Sequence, residues 1–300
     1  MIIITGPTAT GKTARAVDLA RRIGGEIISA DSRQVYRGMD VGSGKDLAEY
    51  GDIPYHMIDV AEAGEVYNLF RWLRGAREAL TDIEGRGRQA IVCGGSGMYV
   101  EALARGTTLP EVPADMELRR SLHGKSLEEL RDILGSMKTL HNTTDTDTCA
   151  RAIRAIEIQT YYAAHPEVNP EANAPAPEAQ PLIIAVDIDR DTRRARITRR
   201  LHTRLESEGM VDEVRHLLDS GVDPQTLINY GLEYRFITRH LLGELTYDEM
   251  RRQLEIAIHQ FAKRQMTWFR GMERRGFVIN WLPASLGRDE FTDRVISLMK

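Results

Sequence analysis

The chain opens with MIIITGPTATGKT, from Met1 to Thr13, and this stretch decides the fold. The apolar Met1–Thr5 predicts a short buried strand, and Lys12–Ile23 has the pattern of a helix. The intervening letters match G-x-x-x-x-G-K-[ST], in which glycines let backbone N–H groups surround phosphate oxygens at the positive end of a helix. The sequence therefore predicts a polyphosphate-binding P-loop made of Gly6, Pro7, Thr8, Ala9, Thr10, Gly11, Lys12 and Thr13.

Further strands and helices alternate after this loop. Strands are predicted at Glu26–Ala30, Gln89–Cys93, Leu182–Asp187 and Phe277–Trp281. Helices are predicted at Val66–Glu84, Ala114–Leu122, Ser126–Met137, Thr148–Tyr162, Arg190–Glu208, Val211–Ser220, Leu232–Leu242 and Tyr247–Arg275. Alternation at this spacing is typical of an α/β protein with a mostly parallel, doubly wound sheet.

The pattern divides the chain into three parts. Residues 1–112 form the first part of a P-loop α/β core, and residues 181–300 form its second part with the C-terminal helices. Residues 113–180 read as a helical insertion followed by a linker. That linker, His165–Pro181, is rich in proline and poor in large apolar side chains.

Composition limits the class of protein. Apolar residues make up 42% and charged residues 28% of the 300-residue chain, which is ordinary for a globular protein. No apolar run is long enough to span a membrane, and the N-terminal strand leaves no room for a signal peptide. The two cysteines, Cys93 and Cys149, lack metal-ligand spacing. We expect a cytoplasmic monomer.

Positive charge is concentrated locally, although the net charge is −4. One group of arginines lies in residues 193–204, and a second basic group lies in residues 263–275. Such runs can be solvated helix faces or a surface for nucleic acid, and charge alone leaves both readings open.

The ends of the strands indicate what the loop is for. A P-loop kinase or NTPase needs a carboxylate near its Mg²⁺, yet the strand Gln89–Cys93 runs into Gly94-Gly95-Ser96-Gly97. Asp31 follows the second strand instead. Because carboxyl ends of parallel strands meet at one edge, Asp31 is expected beside the phosphates, either as a general base or as a turn residue.

Several blocks in order resemble the tRNA dimethylallyltransferase family. They are the P-loop, Asp31–Arg37, Gly94–Tyr99, Arg151–Glu157, Arg196–Arg200, Gly209–Val214 and Phe261–Arg270. The resemblance implies Mg²⁺-dependent transfer of a dimethylallyl group from dimethylallyl diphosphate to N6 of the adenosine 3′ of the anticodon in tRNA.

The same resemblance implies roles for single residues. Asp31 would be the base on N6, with the Ser96 hydroxyl near the amine where the family usually has threonine. Lys12, the loop amides and Arg200 would hold the diphosphate, and Thr13 would contact Mg²⁺. The implied tRNA contacts are Ser32, Arg33, Gln34, Arg151, Arg154, Tyr234, Arg235, Lys263, Arg264, Gln265, Thr267, Trp268 and Arg270.

Departures from the family pattern include two short motifs. Glu233-Tyr234-Arg235 stands where Gly-Tyr-[Lys/Arg] is common, and Gly42-Ser43-Gly44-Lys45-Asp46 replaces Gly-Thr-Ala-Lys-Pro. Both bear on the grip on tRNA more than on the chemistry.

Other functions remain open at the level of sequence. The loop alone also suggests a small-molecule P-loop kinase, and the prenyl chemistry could serve free AMP or ADP. A non-catalytic RNA-binding module with a relic P-loop is a further alternative. Trp268 can stack on a base or be an ordinary core aromatic.

Overall fold

A computed structural model describes residues 1–140, 146–168 and 181–299. Its strands are β1 (Ile2–Thr5), β2 (Glu26–Ser29), β3 (Tyr55–His56), β4 (Ala90–Gly94), β5 (Leu182–Asp187) and β6 (Ile279–Pro283). Its α-helices are α1 (Lys12–Ile23), α2 (Leu69–Gly85), α3 (Gly97–Ala104), α4 (Met116–Leu122), α5 (Leu127–Met137), α6 (Cys149–Ala164), α7 (Arg190–Glu206), α8 (Met210–Asp219), α9 (Pro224–Tyr230), α10 (Leu232–Leu241), α11 (Tyr247–Arg274) and α12 (Arg288–Leu298). The linker prediction falls mostly on residues outside the described ones.

The strands form one six-stranded sheet in the order β3-β2-β4-β1-β5-β6. Every pairing in it is parallel, and β1 lies between β4 and β5, with Ile3 opposite Val92 and Ile183. Alternate side chains point to opposite faces of a strand, so Ile2 and Ile4 share one face of β1. These two pack with Val17 and Phe291, which come from α1 and α12. The predicted α/β class with a P-loop core is confirmed.

The chain divides into two compact units. The first joins residues 1–105 with residues 179–300, and the second comprises residues 106–178. The second unit has a small core of its own on α4, α5 and α6, with Leu122, Leu130 and Ile156 at its centre. A capping box starts α5, because Ser126 and Glu129 bond reciprocally.

The sequence pattern missed several elements. These are β3, α3, α9 and α12. Short elements carry few periods of hydrophobic alternation, and β3 has only two residues. The long helix predicted from Val66 begins instead at Leu69, because the Asn68 side chain accepts a hydrogen bond from the Arg71 N–H at 3.0 Å and caps it.

Candidate active site at the carboxyl edge of the sheet

The P-loop connects β1 to α1 through unusual backbone angles. Gly6 has φ 142°, Ala9 has φ 64° and Gly11 has φ 75°. A side chain on Gly6 would lie 3.1 Å from the Val186 carbonyl oxygen of β5, so glycine is required where the loop leaves the sheet. The Thr10 hydroxyl closes the turn by donating to the Pro7 carbonyl at 3.0 Å.

A cavity of about 770 Å³ opens above this loop within the first unit. Its floor includes Lys12 and Thr13 of the P-loop and Cys93 at the end of β4. Asp31 and Ser96 line it from the ends of β2 and β4, as expected for a parallel sheet. Helices α7, α10 and α11 complete the wall.

Two cations, Lys12 and Arg200, line the cavity at the P-loop. Burial lowers the pKa of Lys12, with Cys93 and Asp31 opposing the shift. Burial also lowers the pKa of Arg200 to about 10, and neighbouring Arg204 lowers it further. Arg200 therefore stays charged at neutral pH, and its guanidinium donates to the Thr8 hydroxyl. This arrangement is suited to a diphosphate.

Asp31 and Ser96 are brought together by the loops that follow β2 and β4. One carboxylate oxygen of Asp31 accepts the Arg33 N–H at 2.9 Å, which is an Asx turn. The Ser96 hydroxyl accepts the neighbouring Ser32 N–H at 3.0 Å. Because the two side chains are held by adjacent amides and line the same cavity, a proton acceptor and a hydroxyl lie side by side there.

Gln265 has a different position from the one expected for an RNA contact. Its side chain is buried, its Oε1 accepts the Thr8 N–H at 2.9 Å, and its Nε2 donates to the Gly95 carbonyl at 2.9 Å. Both ends of the amide are therefore used between the P-loop and the β4–α3 loop. The side chain thus holds these two loops together, and its expected tRNA contact stays a prediction.

Tyr234 and Gln34 also lie inside the protein. Tyr234 is 1% exposed and donates its hydroxyl to Glu213 at 2.9 Å. The buried Gln34 accepts from Ser29 at 2.7 Å and donates to the Gly44 carbonyl at 2.9 Å. The burial of Tyr234 argues against a direct contact with a large ligand, and the tRNA contact expected of it stays a prediction.

Other expected tRNA contacts are accessible. Arg33 and Arg235 line the cavity, and Arg33 lies over the ring of Tyr230 at 6.0 Å. Helix α11 exposes Lys263, Arg264, Thr267, Trp268 and Arg270. Trp268 is 41% exposed and its ring lies against Gly97, where any side chain would clash. Trp268 is thus neither a buried core aromatic nor a side chain without contacts to the rest of the protein.

Arg151 and Arg154 belong to the second unit. Arg151 is exposed and pairs with Asp147 at 2.9 Å. Arg154 donates to the Val112 carbonyl at 2.9 Å and pairs with the buried Glu157, to which Arg119 also donates. Arg154 is accordingly a structural residue of this unit in the described conformation.

Sequence reasoning assigned no role to Arg204 and treated Glu233 only as a departure. Arg204 is buried and donates to both carboxylate oxygens of Asp46 at 3.1 Å. Glu233 lines the cavity, and burial raises its pKa while Arg200 and Arg204 oppose the shift. The spacing of Arg204, four residues after Arg200 on one helix, was the available signal.

The residues present fit a magnesium ion that is held mainly by a diphosphate. Among the described residues, no group of three or more His, Cys, Asp or Glu side chains could hold a metal. Mg²⁺ commonly uses one or two protein oxygens together with phosphate and water. The Thr13 hydroxyl and Asp31 line the cavity that would receive it.

No helix within the described ranges is long and apolar enough to cross a membrane.

Fold and site together define a P-loop protein whose cavity places Lys12 and Arg200 next to the carboxylate of Asp31. Comparison with known families refines this class. The model described as "IPP transferase" matches residues 34–272, and that described as "Isopentenyl transferase" matches residues 1–50. The chain is 55% identical over 302 residues to tRNA dimethylallyltransferase 1 of Porphyromonas gingivalis, with 99% of this chain and 98% of that one covered. It is 56% identical over 295 residues to tRNA dimethylallyltransferase 1 of Parabacteroides distasonis, covering 97% and 94%.

Solved structures agree. The tRNA isopentenylpyrophosphate transferase of Bacillus halodurans superposes with a TM-score of 0.70 at 30% identity, covering 99% of this chain and 94% of that one. A eukaryotic dimethylallyltransferase acting on tRNA gives a TM-score of 0.80 at 21% identity over 100% and 78%, a likeness of fold. The chain belongs to the tRNA dimethylallyltransferase family, and it is an enzyme of the prenyltransferase class.

Proposed function

We propose that this enzyme transfers a dimethylallyl group from dimethylallyl diphosphate to N6 of the adenosine 3′ of the anticodon in tRNA, releasing pyrophosphate. The observation that carries the proposal is Asp31 and Ser96 lining one cavity with Lys12 and Arg200. A base for the acceptor thus lies next to cations for the leaving group.

The donor half of the site lowers the cost of losing pyrophosphate. As the allylic carbon–oxygen bond breaks, its electrons move to the diphosphate oxygen. Lys12, Arg200 and the loop amides stabilise that charge as fixed positive groups that need no rearrangement when it develops. When bound at Thr13, Mg²⁺ would supply further charge stabilisation to the leaving group.

The acceptor half handles the proton. The adenine amine is a weak nucleophile because its lone pair is delocalised into the ring. As the bond from N6 to the allylic carbon forms, Asp31 accepts the amine proton, a contribution of about 10²–10⁴-fold for general bases. The Ser96 hydroxyl is placed to orient the amine. The adenine must leave its stack to reach this cavity.

The acceptor is proposed to be tRNA because α11 presents an exposed basic and aromatic surface beside the cavity. Lys263 and Arg264 are exposed, and Arg264 also lines the cavity. A free nucleotide would not need such a surface, whereas splayed loop bases and phosphates would use both its charge and Trp268. A cytoplasmic location and a monomeric state fit this activity and belong to the proposal.

Mass spectrometry of products tests the proposal. An anticodon stem-loop and AMP are each incubated with the enzyme, Mg²⁺ and dimethylallyl diphosphate. We expect a dimethylallyl mass increase on one adenosine of the stem-loop and none on AMP. Equal modification of AMP would favour the adenylate prenyltransferase instead, and modification of neither would remove the proposed function.

A further inference from the structure

Arg15 is a buried cation directly beneath the P-loop that the proposed chemistry leaves unused. It lies in the first turn of α1 and is 7% exposed, an unusual burial for arginine. Within the described part of the chain its guanidinium bonds to no carboxylate, and its Nε is a buried donor without a partner. A charge held in this way is costly, which calls for a reason other than stability.

The partners of Arg15 are backbone carbonyls from two distant parts of the chain. Its Nη1 donates to the Thr10 and Gly11 carbonyls, each at 3.3 Å. Its Nη2 donates to the Ala284 carbonyl at 2.8 Å and the Leu286 carbonyl at 3.3 Å, in the turn between β6 and α12. The guanidinium thus joins the P-loop to the C-terminal turn.

The position of these carbonyls explains what the contact does. A P-loop binds phosphate only when its N–H groups face inward, which requires the carbonyls of the same peptides to face away. Arg15 binds two of those carbonyls from the side of α12, where Phe291 lies beneath its guanidinium at 5.2 Å. A rigid planar donor suits this task, because lysine has a single nitrogen on a flexible stem.

We propose that Arg15 is a positioning residue that holds the P-loop in its diphosphate-binding conformation by bridging it to the turn at residues 284–286. The inference rests on the proposed function and extends it. The last strand and helix of the chain thereby become part of the donor site, although they supply no side chain to the cavity. The ligand whose affinity depends on the bridge is the diphosphate, not the RNA.

The test compares Arg15→Lys and Arg15→Met with the wild-type enzyme. Both variants should raise KM for dimethylallyl diphosphate by about tenfold or more, leaving KM for the stem-loop within about twofold. Thermal stabilisation by pyrophosphate with Mg²⁺ should fall in both. Because lysine keeps the charge, an equal loss in the two variants identifies bridging as the cause, and full rescue by lysine would overturn it.

Arg288→Gln is the matched control. Arg288 lies on the same α1–α12 seam and is bonded to Asp18 at 2.5 Å, without contact to the P-loop carbonyls. The KM of the Arg288→Gln variant for dimethylallyl diphosphate should be unchanged. A folded Arg15→Lys enzyme with wild-type donor KM and pyrophosphate response would contradict the proposal. The pyrophosphate measurement needs no turnover, so it separates failure of this inference from failure of the proposed activity.

Discussion

At the scale of single residues, the strongest sequence signals concerned atoms that must meet a small ligand. Lys12, Asp31 and Arg200 were expected near the diphosphate and Ser96 near the adenine amine, and all four line one cavity. The expectations that burial argues against, at Tyr234 and Gln265, concern contacts with tRNA. Burial of Tyr234 and Gln265 follows from long-range packing against Glu213 and Gly95, and no local pattern encodes such contacts.

Asp31→Asn should lower the rate of prenyl transfer in single-turnover measurements by about 10²-fold or more, because the amide cannot accept the amine proton. KM values for both substrates should change little. Asp52→Asn, which alters an exposed carboxylate paired with Arg21 at 3.5 Å, serves as the control and should keep the wild-type rate. A near wild-type rate for Asp31→Asn would leave Asp31 as a turn residue only.

Tyr234→Phe should lower the free energy of unfolding by about 1–3 kcal/mol, since the Glu213 carboxylate loses a donor in a mostly buried site. Affinity for tRNA should not change. Denaturant unfolding and a binding titration measure the two quantities, with the more exposed Tyr247→Phe as control. Weaker tRNA binding at unchanged stability would restore the RNA contact that the burial of Tyr234 argues against.

At the scale of elements, the long helices were predicted to within a few residues, whereas some shorter elements were missed. Helix α1 matches its predicted bounds, and α11 differs from them by one residue at its C-terminal end. The two-residue β3 and the seven-residue α9 give too little periodicity to be recognised. Their positions are set by the sheet and by neighbouring helices, which only the folded chain supplies.

Helix α11 should contribute a local electrostatic contact with RNA. Replacing Lys263 and Arg264 with Gln should flatten the plot of log K against log salt by roughly 1–1.5 units, because each phosphate of a single strand that a cation neutralises contributes about 0.7 to the slope. Arg251 and Arg252, at the other end of the same helix, provide the control pair. An unchanged slope in the Lys263 and Arg264 variant would make this cluster a solvated face.

The free energy of unfolding should depend on pH through Glu26, which lies on β2. Hydrogen bonds from Arg86, opposed by burial, lower the pKa of this buried carboxyl to about 2. Because the pKa of Glu26 is lower in the folded than in the unfolded protein, its ionised carboxylate stabilises the fold at pH values above the usual pKa of 4.5. That stability is lost as the pH falls toward 2.

Urea unfolding of Glu26→Gln between pH 7 and pH 3 measures this effect. The variant should be less stable at pH 7 and should lose less stability on acidification than the wild type. Glu78→Gln, which alters an exposed carboxylate on α2, should behave as wild type. Parallel acid curves for Glu26→Gln and wild type would contradict the assignment.

At the scale of the whole molecule, the sequence predicted the α/β class and its parallel sheet because strand and helix alternate with strong periodicity. The periodicity of the sequence did not predict that β5 lies next to β1 in the sheet, followed by β6. That order depends on pairing between segments separated by the second unit, and register across such distances is decided by packing.

The assembled protein should bind diphosphates without using ATP. Pyrophosphate with Mg²⁺ should raise Tm, because binding to the native state alone stabilises it. ATP should not be hydrolysed, since β4 ends at Gly94 without a carboxylate. ATP turnover that Lys12→Ala abolishes would favour the kinase alternative, and Arg37→Gln, an exposed control, should leave the pyrophosphate response intact.

The parallel pairing of β1 with β5 joins two segments that leave the ribosome at different times as the nascent chain is made. When translation has passed residue 105, β1 to β4 have been made, but one edge of β1 stays unpaired until residues 182–187 emerge. An apolar strand with an unpaired edge can pair with other chains. We therefore expect misassembly to be most frequent between the synthesis of β4 and that of β5. The helices that carry Arg200 and Gln265 are made after β5. Dimethylallyl diphosphate therefore cannot stabilise the incomplete sheet by binding to it. Slowed translation between the two halves should therefore increase aggregation.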